Sequence, residues 1–215
     1  MVKRYAKFIL ILLTSVVLIL CIYLWYRSSN FYGNYLLSKI INDHYDNYLL
    51  SKAPNDHILC RTNQRIIPIE ELDKKLKNKG VFKNKGAAFI NAGKNHNVDP
   101  TLVAAIALFE TGYGTSNAVK NYNNPGGLMD PDNPMEFQRF ETLEEGINAM
   151  TANLYRNYIS LGLETPKEIA PKYAPVGAKN DLYDTNGNWA PTVTKFINYL
   201  GGLSQNCDET KTSRD

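Results

Sequence analysis

The stretch Val98–Asn124 reads V-D-P-T-L-V-A-A-I-A-L-F-E-T-G-Y-G-T-S-N-A-V-K-N-Y-N-N, and Leu102–Gly114 within it decides the fold. Asp99 is a good helix N-cap, and Pro100 suits the first helical position. Leu102–Phe109 is apolar on every face, a pattern expected of a helix buried all round. Glu110 comes directly after that run. Thr111-Gly112-Tyr113-Gly114 then stops the helix, with Gly112 free to take the left-handed cap conformation.

The pattern therefore predicts a carboxyl group at the C-terminal end of a buried helix. Apolar surroundings disfavour its charged form. The negative end of the helix dipole disfavours it again. A carboxyl kept protonated near neutral pH can donate a proton to a leaving oxygen, as the general acid of a glycosidase must. Lysozyme is the standard example of this tuning. The same residues also fit a solvated Glu at a helix end, and spacing alone leaves both readings open.

A longer set of residues resembles a known family. Lys85-Gly-Ala-Ala-Phe-Ile-Asn-Ala-Gly-Lys94, then Val98-Asp99-Pro100, then Ala104-Ala-Ile-Ala-Leu-Phe-Glu-Thr-Gly-Tyr-Gly-Thr-Ser-Asn117 resembles the bacterial endo-β-N-acetylglucosaminidases, peptidoglycan hydrolases with a lysozyme-like fold. The resemblance covers Leu72 to Leu203. It implies that Glu110, as the Glu of E-[ST]-G-x-G, is the catalytic acid. One departure is Phe109, where family members often have His; Phe makes the surroundings of Glu110 more apolar.

Working outward, the chain of 215 residues has room for one ordinary domain plus appendages. Its net charge of +3 is too small to argue for nucleic acid, and none is expected as a partner. Phe8–Tyr26 carries no charge and is long enough to span a bilayer as a helix. Lys3, Arg4 and Lys7 precede it while only Arg27 follows closely, so the N-terminus is expected inside and the rest outside. No small-residue cleavage site follows Tyr26, which favours a single-pass membrane anchor. The alternative is secretion after signal-peptide cleavage near Ser28–Asn30.

Between anchor and domain, Asn34-Tyr-Leu-Leu-Ser-Lys39 recurs as Asn47-Tyr-Leu-Leu-Ser-Lys52. The first copy has helical spacing and the second is broken at Pro54. Each copy is followed by an Asn-Asp-His triplet, ending at His44 and His57. Metal sites need about three or four enforced ligands, so these read as solvated polar residues. Pro68–Lys77 reads as a helix with Pro at its start. The expected organisation is a cytoplasmic tip and transmembrane anchor over 1–27 and an extracytoplasmic spacer over 28–71. A lysozyme-like glucosaminidase domain follows over 72–204, then a polar, disordered tail over 205–215.

Within the domain, Gly86–Asn95 reads as a helix, and Thr115-Ser116-Asn117 can cap another. Tyr122-Asn-Asn-Pro-Gly-Gly-Leu-Met129 is a turn by composition. The resemblance puts a groove-lining segment here, although Pro125-Gly126 replaces the usual hydrophobic pair. Tyr113, Asn123, Asn124 and Gly127 are therefore candidate substrate-binding residues. Thr142-Leu-Glu-Glu145 is a capping-box pattern opening a helix Leu143–Tyr158, with Ile147, Met150, Leu154 and Tyr158 as its inner stripe. Family members supply a second carboxylate just before this helix. Asp130, Asp132 and Glu136 are the candidates, and nothing separates them. Thr165–Tyr173 resembles the family's helix ending in Tyr-Ala, which makes Tyr173 a candidate beside the reacting sugar. Trp189 either stacks on a sugar or anchors the last helix, Pro191–Leu200. Asn180-Asp181 and Asp184–Asn188 lack the liganding Glu of a calcium loop, so no metal is expected.

Cys60 and Cys207 lie beyond the anchor and can pair in an oxidising compartment, but two Cys do not establish it. The reading is thus a mainly α, lysozyme-like catalytic domain behind an N-terminal transmembrane helix. Its expected partners are peptidoglycan glycan strands, with no cofactor, and with the membrane engaged through Phe8–Tyr26. The expected activity is endo-β-N-acetylglucosaminidase. Muramidase or lytic transglycosylase chemistry on the same fold, or a non-catalytic wall-binding or assembly role, are the alternatives.

Overall fold

Helix α3, Pro100–Glu110, runs through the middle of the described part of the molecule. In the computed structural model, residues 57–178 and 186–212 are described, and they fall within one compact unit, Leu49–Asp215. A separate unit, Met1–Tyr48, lies wholly outside the described residues. The expected Phe8–Tyr26 anchor and the tandem repeat up to Asp56 lie outside them too. Among the described residues no helix is long and apolar enough to cross a membrane.

Asp99 caps α3 as the sequence predicts, its Oδ1 accepting from Thr101 N at 2.8 Å with Pro100 at the first turn. Every residue from Leu102 to Leu108 is buried. Such continuous burial requires neighbours on all sides. Helix α2, Gly86–His96, and helix α7, Trp189–Leu200, supply the main contacts to α3. Helix α5, Leu143–Asn157, packs on α2, and helix α6, Pro166–Tyr173, packs on α7. Helix α1, Ile69–Leu76, with buried Leu72 and Leu76, closes the other side of α2. The short helix α4, Asn117–Tyr122, follows α3 and is capped by Ser116, which accepts from Val119 N.

The capping box of α5 forms with its return arm displaced. Thr142 Oγ1 accepts from Glu145 N at 3.2 Å, while Glu145 Oε2 accepts from Glu141 N at 3.1 Å. The stripe Ile147, Met150 and Leu154 is buried as expected, and Tyr158 ends the helix half-buried. Helix α7 starts at Trp189, two residues before the expected Pro191. Proline is tolerated there because amide groups in the first turn have no intrahelical partner.

Two expectations about the chain ends are corrected. The expected spacer does not last to residue 71: Cys60 and Ile67 are buried, and Leu59–Cys60 forms strand β1. The expected disordered tail contains strand β2, Asp208–Thr212, which pairs in parallel with β1. Polar composition argues against burial, but a strand is held by backbone hydrogen bonds that any side chain permits. Leu203 reinforces the join, donating to Leu59 O at 2.9 Å and accepting from Arg61 N at 2.8 Å. Asn198 of α7 accepts from Leu59 N and donates to His57 O. A disulfide joins Cys60 to Cys207, closing a span of 147 residues.

Candidate active site

The C-terminal turn of α3 is built by Thr111. Its Oγ1 donates to Ala107 O at 2.6 Å and accepts from Gly114 N at 2.8 Å. Gly112, Tyr113 and Gly114 all take positive φ. Gly114 also lies where a Cβ would press on Lys79 O and the ring of Phe82, so both conformation and space call for glycine there. This turn ends the helix just after Glu110 and leaves its carboxyl facing the start of α7 and the end of α6.

The Glu110 carboxyl meets two donors. Trp189 Nε1 donates to Oε1 at 3.0 Å, and the Tyr173 hydroxyl donates as well. Burial pushes the Glu110 pKa up; the two donors, which favour the charged form, pull it back only in part, and the net direction is upward. Tyr173 is held well above the usual tyrosine range by its own burial, the Glu110 charge and the nearby Tyr158. It is therefore a donor at any ordinary pH.

Aromatic rings wall this carboxyl. Trp189 is 2% exposed. It stacks on Tyr173 with ring centres 4.8 Å apart and meets the edge of Phe109 at 6.4 Å. Tyr158 lies behind Tyr173 at 5.6 Å. A carboxyl in such a setting can hold a proton near neutral pH and release it to an acceptor that enters.

The other sequence candidates are placed differently. The ring of Tyr113 packs edge-on against Phe196 at 5.4 Å, with Lys79 Nζ 4.9 Å from its centre. Phe196 is about two turns along α7 from Trp189. Asn123 ends α4 in the left-handed conformation, and its Nδ2 donates to Phe140 O and Glu141 O. Asn124 is 1% exposed, and its amide bonds Leu128 N, Leu128 O and Gln138 O. Both side chains shape the loop: Asn124 is buried in it, and Asn123, half-buried, commits its Nδ2 to it. Gly146 of α5 helps to seat this loop, since a Cβ there would collide with the Asn123 carbonyl.

Residues 128–138 form a small hairpin through the Met129–Phe137 bridge and the Gln138 N to Leu128 O bond. Gly127 enters it at positive φ, close to Phe137. Asp130 Oδ1 accepts from Asp132 N and Asn133 N, so that carboxylate organises the hairpin turn. Asp132 and Glu136 are exposed, and the Glu136 carbonyl accepts from Asp130 N.

The structure thus brings Glu110, Tyr173 and Trp189 together. Trp189 is buried at the start of the last helix, as in the anchoring alternative, and in addition it donates to the carboxyl. Sequence reasoning missed this because the two residues are 79 positions apart and no local pattern links them. Among the described residues, no cluster of His, Cys, Asp and Glu could hold a metal ion.

Comparison with known proteins agrees with this architecture. The glucosaminidase family model, described as mannosyl-glycoprotein endo-beta-N-acetylglucosaminidase, matches residues 86–201. The bifunctional autolysin of Staphylococcus aureus is 25% identical over 154 residues, covering 61% of this chain and 12% of that protein. The chain therefore spans a small fraction of the length of that relative. The crystal structure of S. aureus autolysin E in complex with the muropeptide NAM-L-Ala-D-iGlu superposes with a TM-score of 0.52 at 19% identity, covering 67% of this chain and 69% of that one. A catalytic mutant of autolysin E in complex with the disaccharide NAG-NAM gives a TM-score of 0.51 at 18% identity, covering 67% and 69%. At these identities the two structures show the shared fold.

Proposed function

This chain belongs to the glucosaminidase family, and from that premise we propose that it is a membrane-anchored peptidoglycan hydrolase. It cleaves the β-1,4 glycan backbone as an endo-β-N-acetylglucosaminidase. The observation that carries the reading is the half-buried Glu110 carboxyl, raised in pKa by desolvation and hydrogen-bonded by Trp189 and Tyr173. Protonated Glu110 gives its proton to the glycosidic oxygen as the C1–O bond breaks, the sugar passes through an oxocarbenium-like state, and water adds at C1, losing a proton that, directly or through solvent, restores the protonated Glu110. The family match and the autolysin relatives support glycosidase chemistry. The sugar and muropeptide complexes of proteins with this fold support peptidoglycan as the substrate.

Anchoring is supported by the uncharged Phe8–Tyr26 run and the basic residues before it. The Cys60–Cys207 disulfide supports placing the domain outside, in an oxidising compartment. We extend the proposal accordingly to a single-pass protein with its N-terminus inside.

The test is digestion of purified peptidoglycan by the full chain in detergent, beside Glu110→Gln, with mass spectrometry of the reduced fragments. New N-acetylglucosamine reducing ends, absent with the variant, are the expected result. Muramic reducing ends would instead make it a muramidase, and anhydro-muramic ends a lytic transglycosylase. Binding without cleavage by the folded wild type would overturn the enzymatic reading.

A further inference from the structure

We infer that Trp189 is the positioning residue for the catalytic acid: its indole N–H pins one oxygen of Glu110 and thereby decides which oxygen carries the proton that is given up. The inference rests on the reading of Glu110 as the general acid.

A Glu side chain at the last residue of a helix has rotatable bonds that the helix itself does not fix. The Trp189 indole does not share that freedom. One face lies against Tyr173, an edge of Phe109 meets it, and it is 2% exposed. It is also the first residue of α7, directly after the short turn Asn186–Asn188. The indole nitrogen can only donate. An oxygen that accepts from it, here Oε1 at 3.0 Å, is held as the carbonyl oxygen of the protonated acid. The proton is then on Oε2; the Tyr173 hydroxyl, which can accept as well as donate, imposes no such choice. A rigid donor thus turns a mobile carboxyl into an acid with a defined direction of delivery, and general-acid efficiency depends on such placement.

The same bond acts on protonation. The groups facing the carboxyl are Tyr173 from α6, with Tyr158 behind it, and Trp189 and Phe109. Burial by these rings favours the neutral acid, and the indole N–H favours the charged form. Trp189 therefore supplies both much of the apolar cover and the donor that limits its effect.

The chain has two tryptophans, Trp25 and Trp189, so Trp25→Phe leaves Trp189 as the single indole. In full-length Trp25→Phe protein in detergent, labelled with 15N-tryptophan, the indole N–H resonance is expected to move with pH, with a midpoint above the ordinary carboxyl value of 4.5. It should stay fixed when Glu110→Gln is added. Trp189→Phe keeps a ring but loses the donor. Its kcat is expected to fall by about 10- to 100-fold, with KM nearly unchanged. The alkaline limb of its pH–rate profile should move to higher pH, because the bond lost favoured the carboxylate. A merely structural role would lower the folded fraction without moving that limb. An indole resonance that ignores pH, or an unmoved limb, overturns the inference while Glu110→Gln remains inactive. Glycan cleavage that survives Glu110→Gln instead overturns the acid reading on which it rests. If Trp189→Phe fails to fold, the indole titration decides by itself.

Discussion

Asp99 and Glu110 stand at opposite ends of α3, and their surroundings differ in kind. Asp99 accepts three hydrogen bonds, from Thr101 N, Ser204 N and Ser204 Oγ. It joins the start of the helix to the C-terminal segment, where Cys207 and Leu203 also pin the chain. Glu110 accepts from two donors within a wall of aromatic rings, and its pKa is raised. One carboxyl is surrounded by donors that hold the fold together. The other has too few donors to offset its burial. The difference teaches that the imbalance between burial and hydrogen bonding, more than the presence of a carboxyl, singles out the candidate reactive end of this helix.

The strongest way to break the comparison is Glu110→Gln. Glycan cleavage should fall by about 10²- to 10⁴-fold, the contribution usual for a general acid, measured by release of reducing ends. Thermal unfolding should show no loss of stability at neutral pH. Unchanged cleavage would put Glu110 in the same structural class as Asp99.

Removing the disulfide with Cys60→Ser and Cys207→Ser should weaken the Asp99 end of the molecule. A loss of about 2–5 kcal/mol is expected, read by denaturant unfolding with and without reductant. The rate per folded molecule should stay near that of the wild type.

Asp99→Ala sharpens the contrast from the structural side. Loss of the cap and of the Ser204 bonds should lower stability by about 1–3 kcal/mol, again with kcat preserved in the folded fraction. A fall in kcat without a fall in stability would reverse the roles assigned to the two ends.

The smallest effect is on stability against pH. Burial raises the Glu110 pKa, so folding favours the protonated carboxyl. That contribution is complete below the ordinary value of 4.5 and is lost as pH rises through the raised value. Wild type should therefore lose stability relative to Glu110→Gln across that window and run parallel to it above. Melting curves of both proteins over a pH series check this; parallel curves throughout would mean that Glu110 is not perturbed by folding.

Much of the fold was readable wherever the cause is local. Asp99 and Pro100 start α3, Ser116 starts α4 and Thr142 starts α5, each through bonds within a few residues. The loop Asn123–Gly127 was readable as a turn, but the direction of its side chains was not. Asn124 turns inward because the hairpin that follows leaves the Leu128 amide and carbonyl and the Gln138 carbonyl for it to bond. The polar segment from Asp208 was misread for a related reason: its partner, Leu59–Cys60, lies at the other end of the domain.

The sequence by itself determined a buried helix ending in Glu110, because a continuous apolar run, an N-cap and a glycine stop act over neighbouring residues. It also determined the apolar run near the N-terminus, for the same reason of local composition. Only the tertiary structure decided what Glu110 touches. Packing of α6 and α7 at the end of α3 puts the Tyr173 hydroxyl and the Trp189 indole on one carboxyl, and no periodicity within a segment records which side chains meet when distant segments fold together.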